Sequence, residues 1–332
     1  MDNTHMRLAG WATVMAAGMC VAWPAVAADR SGTLNVVLEN DLFSGNDQHY
    51  TGGLQVLWVP DDAAPPAWAL RFARLLPWLP AGGEVRPGYG LGYAMFTAND
   101  ISLVDPPPEE PPYAGWLHGS IGVNVWNGSQ ADQLTLTLGV VGPAAMAEQG
   151  QKFIHKVTGS EEPRGWDTQL ENEPGIVLTY QRSWRGQATA TPSGLKLDLT
   201  PHVGGALGNV YTYANAGLTL RYGKGLPRDD GPLRVQPGAP GSGLYAAGDG
   251  FGWYLFAGVD GRAVARNIFL DGNTFRDSRS VDKEPFVADL QAGIALTWRK
   301  ARLSYAQVLR TREYDHQPDP EDFGALTLSL PL

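Results

Sequence analysis

The sequence predicts an all-β protein, a transmembrane antiparallel β-barrel of about twelve strands with a short helix in one outer loop. Three observations predict it. Apolar and polar residues alternate with period two along most of the chain, and the alternating segments are bounded by Gly, Pro, Asn and Asp clusters. No stretch beyond residue 27 approaches the ~20 apolar residues that a spanning helix needs. Finally, a mean hydropathy of −0.20 with 18% charged residues is what a barrel produces, because its lipid-facing and lumen-facing residues cancel in the average.

The first 27 residues read as an export signal. Arg7 gives a basic start, an apolar run extends from Leu8 to Val21, and Ala25-Val26-Ala27 has the small-x-small form of a cleavage site before Ala28. A membrane anchor fits less well, because Gly10 and Gly18 interrupt a short apolar core and Pro24 follows it. Residues 28–332 are then one domain. The single cysteine, Cys20, falls within the signal, so disulfides, thiolate catalysis and cysteine-bound zinc drop out. A net charge of −9 with no basic run excludes a nucleic-acid partner.

Strands are expected near 33–39, 51–59, 87–96, 115–126, 132–141, 174–184, 193–203, 212–222, 250–268, 285–299, 301–310 and 322–331. Leu34, Val36 and Leu38 show the alternation, as do Leu134, Leu136, Leu138 and Val140. The long segment 250–268 could instead be a hairpin turning at Asp260-Gly261. A soluble β-sandwich is the competing architecture. Against it stand the aromatic residues near strand ends (Trp58, Trp116, Trp126, Trp184, Tyr222, Trp253, Trp298), placed as an interfacial girdle would place them. The last strand runs to Leu332, where a barrel-assembly signal ordinarily carries an aromatic residue. With the N-terminus in the periplasm, the connections 40–50, 97–114, 142–173, 204–211, 269–284 and 311–321 lie outside. The short turns 127–131, 185–192 and Arg299-Lys300 lie inside. Two inner connections are long: 60–86, with a Trp68, Leu70, Phe72, Leu75 pattern fit for a short helix against the membrane, and the Gly/Pro-rich 223–249.

Chemistry is sought where polar residues crowd the outer rim. Glu39-Asn40-Asp41-Leu42-Phe43 ends the first strand, Tyr50-Thr51-Gly52-Gly53 begins the second, and the 142–173 loop holds Gln151, His155, Glu161 and Glu162. Residues 144–159 lack proline and read as a helix, on which Gln151 and His155 share a face. A histidine there, with Asp41 and Glu161 nearby, offers a general base and a hard oxygen site that suits calcium better than zinc. The plainer reading is a solvated loop histidine, which is the reading given to His49, His118, His202 and His316. A serine hydrolase would have to draft Ser44 or Ser160, and no Gly-x-Ser-x-Gly elbow exists.

Several of these segments recur together in one known family. Glu39-Asn40-Asp41-x-Phe43, Asp47-x-x-Tyr50-Thr51-x-Gly53, Met95-Phe96-Thr97-x-x-Asp100-Ile101, Pro112-Tyr113-Ala114-Gly115-Trp116, Gly139-Val140-Val141-Gly142-Pro143, His155 and Gly165-Trp166-Asp167-x-Gln169-Leu170-x-Asn172-Glu173-Pro174 make the chain resemble the outer-membrane lipid A 3'-O-deacylases. The resemblance implies a twelve-stranded barrel and calcium-dependent hydrolysis of the 3'-linked acyl ester of lipid A. It casts His155 as the base, Glu161, or the neighbouring Glu162, as its acidic partner, and Asn40, Asp41 and Thr51 as functional rim residues. Asp41 and Glu161 are the expected Ca²⁺ ligands, with Gln151 and Tyr113 positioning substrate. The expected partners are lipopolysaccharide of the outer leaflet and, during insertion, the barrel-assembly machinery; the barrel is expected to be a monomer. One departure stands out. Many members carry Asp-Arg where this chain has Glu110-Pro111, within a stiff acidic run from Asp105 to Pro112 that would repel a phosphate. The rival to catalysis is a passive porin or adhesion barrel that keeps the scaffold alone.

Overall fold

The computed structural model describes residues 31–40, 50–61, 65–74, 78–79, 82–186, 188–227, 229, 250–299 and 301–332. The proposed export signal, Asp41 and the rest of 41–49, and all of 230–249 lie outside them. Period-two alternation becomes twelve long antiparallel strands, as expected: β1 (Gly32–Asn40), β2 (Tyr50–Pro60), β3 (Glu84–Phe96), β4 (Ala114–Trp126), β5 (Gln130–Val141), β6 (Glu173–Trp184), β8 (Lys196–Gly208), β9 (Tyr211–Lys224), β10 (Gly252–Asn267), β11 (Phe286–Trp298), β12 (Ala301–Arg310) and β13 (Glu321–Pro331). A two-residue strand, β7 (Thr189–Ala190), pairs with β8 inside one periplasmic connection. Neighbours in sequence pair in order, β1 closes on β13, and β6 bridges to β8, so no long strand is left with an open edge.

One strand limit differs markedly from the sequence reading, and one open alternative is resolved. β8 runs on to Gly208, and the predicted outer loop 204–211 shrinks to Asn209-Val210. The glycines at 204, 205 and 208 look like turn formers but serve the ladder: a Cβ at Gly204 would lie 2.7 Å from the Tyr180 carbonyl and one at Gly205 2.7 Å from that of Tyr213. β10 is one unbroken strand, because Asp260 faces the lumen and pairs there instead of turning.

Alternation also sorts the two faces. Leu91, Leu117, Ile121, Leu138, Ile176 and Leu255 point to lipid and are exposed. The lumen is filled rather than open. At its outer mouth a one-turn helix, α3 (Ile268–Asp271), inserts Phe269, which stacks on Phe96 at 3.8 Å. Deeper, buried charges pair across the barrel. Arg221 binds Asp198 at 2.6 Å and also reaches Asp229, which in turn binds Arg302 at 3.1 Å. Asp289 takes Arg262 at 2.8 Å and Arg310 at 2.8 Å. Unpaired, each of these ions would cost several kcal/mol in such surroundings.

Two helices lie on the outside of the same wall. α1 (Ala67–Arg74), in the connection after β2, covers the periplasmic end of β3, β4 and β5, as the Trp68–Leu75 pattern suggested. Its Ala69 packs with Val123 and Leu134. α2 (Ala147–Thr158) covers the outer end of β3 and β4, within the limits expected for the loop helix.

Candidate functional site

The outer-wall block is built from the segments singled out by sequence. The chain leaves β5 through Gly142, whose N–H donates to the Gly115 carbonyl at 3.0 Å. A 3-10 turn (Pro143–Ala145) and Met146 in the left-handed region (φ 59°) then redirect it into α2. Close approach to the wall requires Gly115, where a Cβ would sit 2.6 Å from that of Ala147. Tyr93 donates from its hydroxyl to the Met146 carbonyl at 3.0 Å, and Asn172 Oδ1 accepts from Ala144 N at 2.7 Å. Gly159 in the left-handed region (φ 70°) ends the helix, with its N–H on the His155 carbonyl.

Gln151 and His155 occupy the buried face of α2, as their four-residue spacing predicted. Gln151 is fully buried and accepts from Trp166 Nε1 at 2.8 Å. Trp166 meets the ring of Tyr113 edge-on at 5.1 Å, and Tyr113 is itself fully buried. Gln151 and Tyr113 are thus buried under α2 and help to seat it. Gly165 is as tightly fitted, since a Cβ there would stand 2.5 Å from the Tyr113 ring.

His155 is 6% exposed, and its Nδ1 hydrogen-bonds the main-chain carbonyl of Glu161. A carbonyl oxygen can only accept, so Nδ1 carries the proton and Nε2 carries the lone pair. Glu161, the partner implied by the family resemblance, thus meets the histidine through its backbone. The expected carboxylate contact is replaced because the Glu161 side chain is exposed.

Asn40 ends β1 on the same outward face and is 6% exposed. Thr51 is the extra residue of a β-bulge between Tyr50 and Gly52 against Phe96 and Met95. Bulges of this kind sit at barrel rims and re-aim the strand. Met95 belongs to the apolar cluster of Ala147, Tyr113 and Trp166, against which Ile154 packs. The bulge is therefore one strand removed from the helix that carries His155. Asp41, which follows Asn40, lies outside the described residues. Among the described residues no three His, Cys, Asp or Glu side chains converge as metal ligands.

Two of the histidines read as solvated are not. His118 is 5% exposed and stacks on Trp116 at 5.0 Å, while His202 is 2% exposed with Nε2 2.6 Å from Asp260 Oδ2. Both have lumen-facing parity, which the strand register reveals and isolated inspection of each histidine did not. His316 is exposed as expected, and His49 lies outside the described residues. The acidic departure segment is also tied down. Glu110 accepts from Asn99 N and Nδ2 at 2.8 and 3.0 Å, and Asp105 pairs with Arg279. Tyr93 and Asn172 were not assigned roles from sequence; Asn172 was legible only as part of a motif, and Tyr93 only as an aromatic of outward parity.

The fold has a solved counterpart. LpxR from Salmonella typhimurium superposes with a TM-score of 0.74 at 18% identity, covering 90% of this chain and 99% of that one. The β domain of the Bordetella autotransporter BrkA covers 92% of this chain at 11% identity with a TM-score of 0.44. No curated protein matches the chain. The family model for the outer membrane protein LpxR matches residues 12–332, which agrees with the resemblance carried by the rim motifs and with a barrel seated in the outer membrane. The chain belongs to the LpxR outer membrane protein family.

Proposed function

We propose that this protein is a lipid A deacylase that hydrolyses the 3'-linked acyl ester from within the outer leaflet. The observation that carries the reading is His155, on an outer-wall helix at the outer ends of β3 and β4, with Nδ1 committed to the Glu161 carbonyl. Nε2 then takes a proton from water. The resulting hydroxide adds to the ester carbonyl, and the tetrahedral adduct breaks its bond to the sugar oxygen. The imidazolium returns its proton to that oxygen, releasing a sugar hydroxyl and a fatty acid. The Glu161 carbonyl stabilises the imidazolium and fixes the ring, the part first given to its carboxylate. Asn40 and Thr51 would hold the ester by hydrogen bonds. A Ca²⁺ resting on Asp41 and Asn40 would, when bound, stabilise negative charge on the carbonyl oxygen.

The acyl chain has a bare lipid-facing strip below α2, formed by Leu91, Leu117, Ile121 and Leu138. The paired and stacked lumen argues against a passive pore. The test is mass spectrometry of lipid A after incubation with the purified barrel and with His155→Ala, with calcium present and then chelated. Loss of one 3'-linked acyl or acyloxyacyl unit by the wild type alone, and only with calcium, is the expected result. Unchanged lipid A with a folded wild-type barrel would overturn it.

A further inference from the structure

The periplasmic end of the wall that carries α2 holds a second, differently built surface. α1 turns Ala69 fully onto the outside of the barrel wall, where it packs with Val123 and Leu134 against Trp68, Phe72, Val85 and Tyr180. Arg71 and Arg74 lie three residues apart, on one face of the helix and nearly opposite Ala69. Both are exposed, and neither makes a hydrogen bond or ion pair with a described residue. Other arginines at this end of the wall are occupied. Arg86 pairs with Asp61 at 3.2 Å, and Arg182 with the buried Asp132 at 2.8 Å.

Aromatic rings fix the height of this helix. Trp58 stacks on Tyr89 at 5.7 Å, Trp68 meets the same ring edge-on at 6.2 Å, and Trp78 meets Tyr180 edge-on at 6.3 Å. Such a cluster at strand ends marks the level of lipid headgroups. Between α1 and α2 the wall is bare and apolar, so α1 borders lipid above and the periplasm below. An amphipathic helix with an apolar face seated and, among the described residues, two unpaired cations at headgroup level is built to meet phosphate.

From this arrangement we infer that α1 is a docking site for an anionic glycerophospholipid of the periplasmic leaflet, with Arg71 and Arg74 on its phosphate and Trp68 and Phe72 beside its upper chain. The site is separate from His155 and stands whether or not the deacylase reading holds.

Native mass spectrometry of the full-length barrel in detergent tests it, with phosphatidylglycerol titrated against wild type and Arg71→Gln/Arg74→Gln. The wild type should retain one phosphatidylglycerol more than the variant, with apparent affinity about tenfold tighter. Millimolar inorganic phosphate should not displace it, and lipid A deacylation should be unchanged. Equal retention by both barrels would overturn the proposal, as would displacement by inorganic phosphate, which would make the site one for free anions. If the double variant does not fold, the single variants Arg71→Gln and Arg74→Gln carry the test, each expected to lose about threefold. Quenching of tryptophan fluorescence by brominated phosphatidylglycerol, weaker in Trp68→Phe, gives an independent reading; quenching equal to wild type would count against the site.

Discussion

His155 and His202 are both buried histidines, yet their surroundings differ in kind. His202 stands in the lumen with Nε2 on Asp260, which also accepts from Asn215 at 2.9 Å. His155 stands on the outer wall with Nδ1 on a neutral carbonyl. A carboxylate partner inside a filled barrel ties the first ring into a network of mutually compensating charges. A carbonyl partner on a wall facing lipid sets the second ring's tautomer and puts the lone pair on Nε2. Density of polar groups therefore does not mark the chemistry of this molecule; the lumen has far more of them, and they hold the barrel together.

That contrast can be broken most sharply by truncating each histidine. His155→Ala should lower deacylation by about 10² to 10⁴ while leaving the heat-modifiable gel mobility of the folded barrel intact; lipid A mass spectra and gels together check this. His202→Ala should do the reverse, lowering the urea midpoint while activity per folded molecule stays within about threefold. Next in size is the lumen itself. Arg310→Ala strands Asp289 beside Arg262 alone and should cost about 3–5 kcal/mol in an unfolding titration. On the outer wall, Gly165→Ala forces a methyl onto Tyr113 and should cost about 1–3 kcal/mol, and activity should fall with it because Trp166 and Gln151 seat the helix. The smallest effect belongs to Lys152→Ala. It removes an exposed pair with Glu148 at 2.9 Å worth about 0.3–0.5 kcal/mol, and the unfolding midpoint should hardly move.

Much of this was legible in the sequence because the barrel repeats one local rule. Alternation gave twelve strands, and the absence of proline with three- and four-residue spacing gave α2 with Gln151 and His155 on one face. The lumen network was not legible. Arg302 and Asp229 come from distant segments, and only the closed register brings them to 3.1 Å. His118 and His202 were misread because each was weighed alone, although parity with Trp116 and with Thr200 places them inside. At the site, the family resemblance located Glu161 but could not tell its carbonyl from its carboxylate, a distinction made by the turn after Gly159. The burial of Gln151 and Tyr113 was not legible either, since sequence does not report that Trp166 packs against both.

The seam between β1 and β13 joins Asn35 to Ser329, 294 positions apart, by a hydrogen bond of 2.7 Å. Every other long-strand pair joins neighbours in the order of synthesis, so hairpins can form as the chain emerges, whereas this contact needs both extremes of the domain at once. Until it forms, two long strands present unsatisfied backbone to their surroundings, an invitation to pair with another molecule. The rate at which the seam shuts, more than the strength of any pair inside the barrel, should set how long the newborn protein must be kept from its own kind.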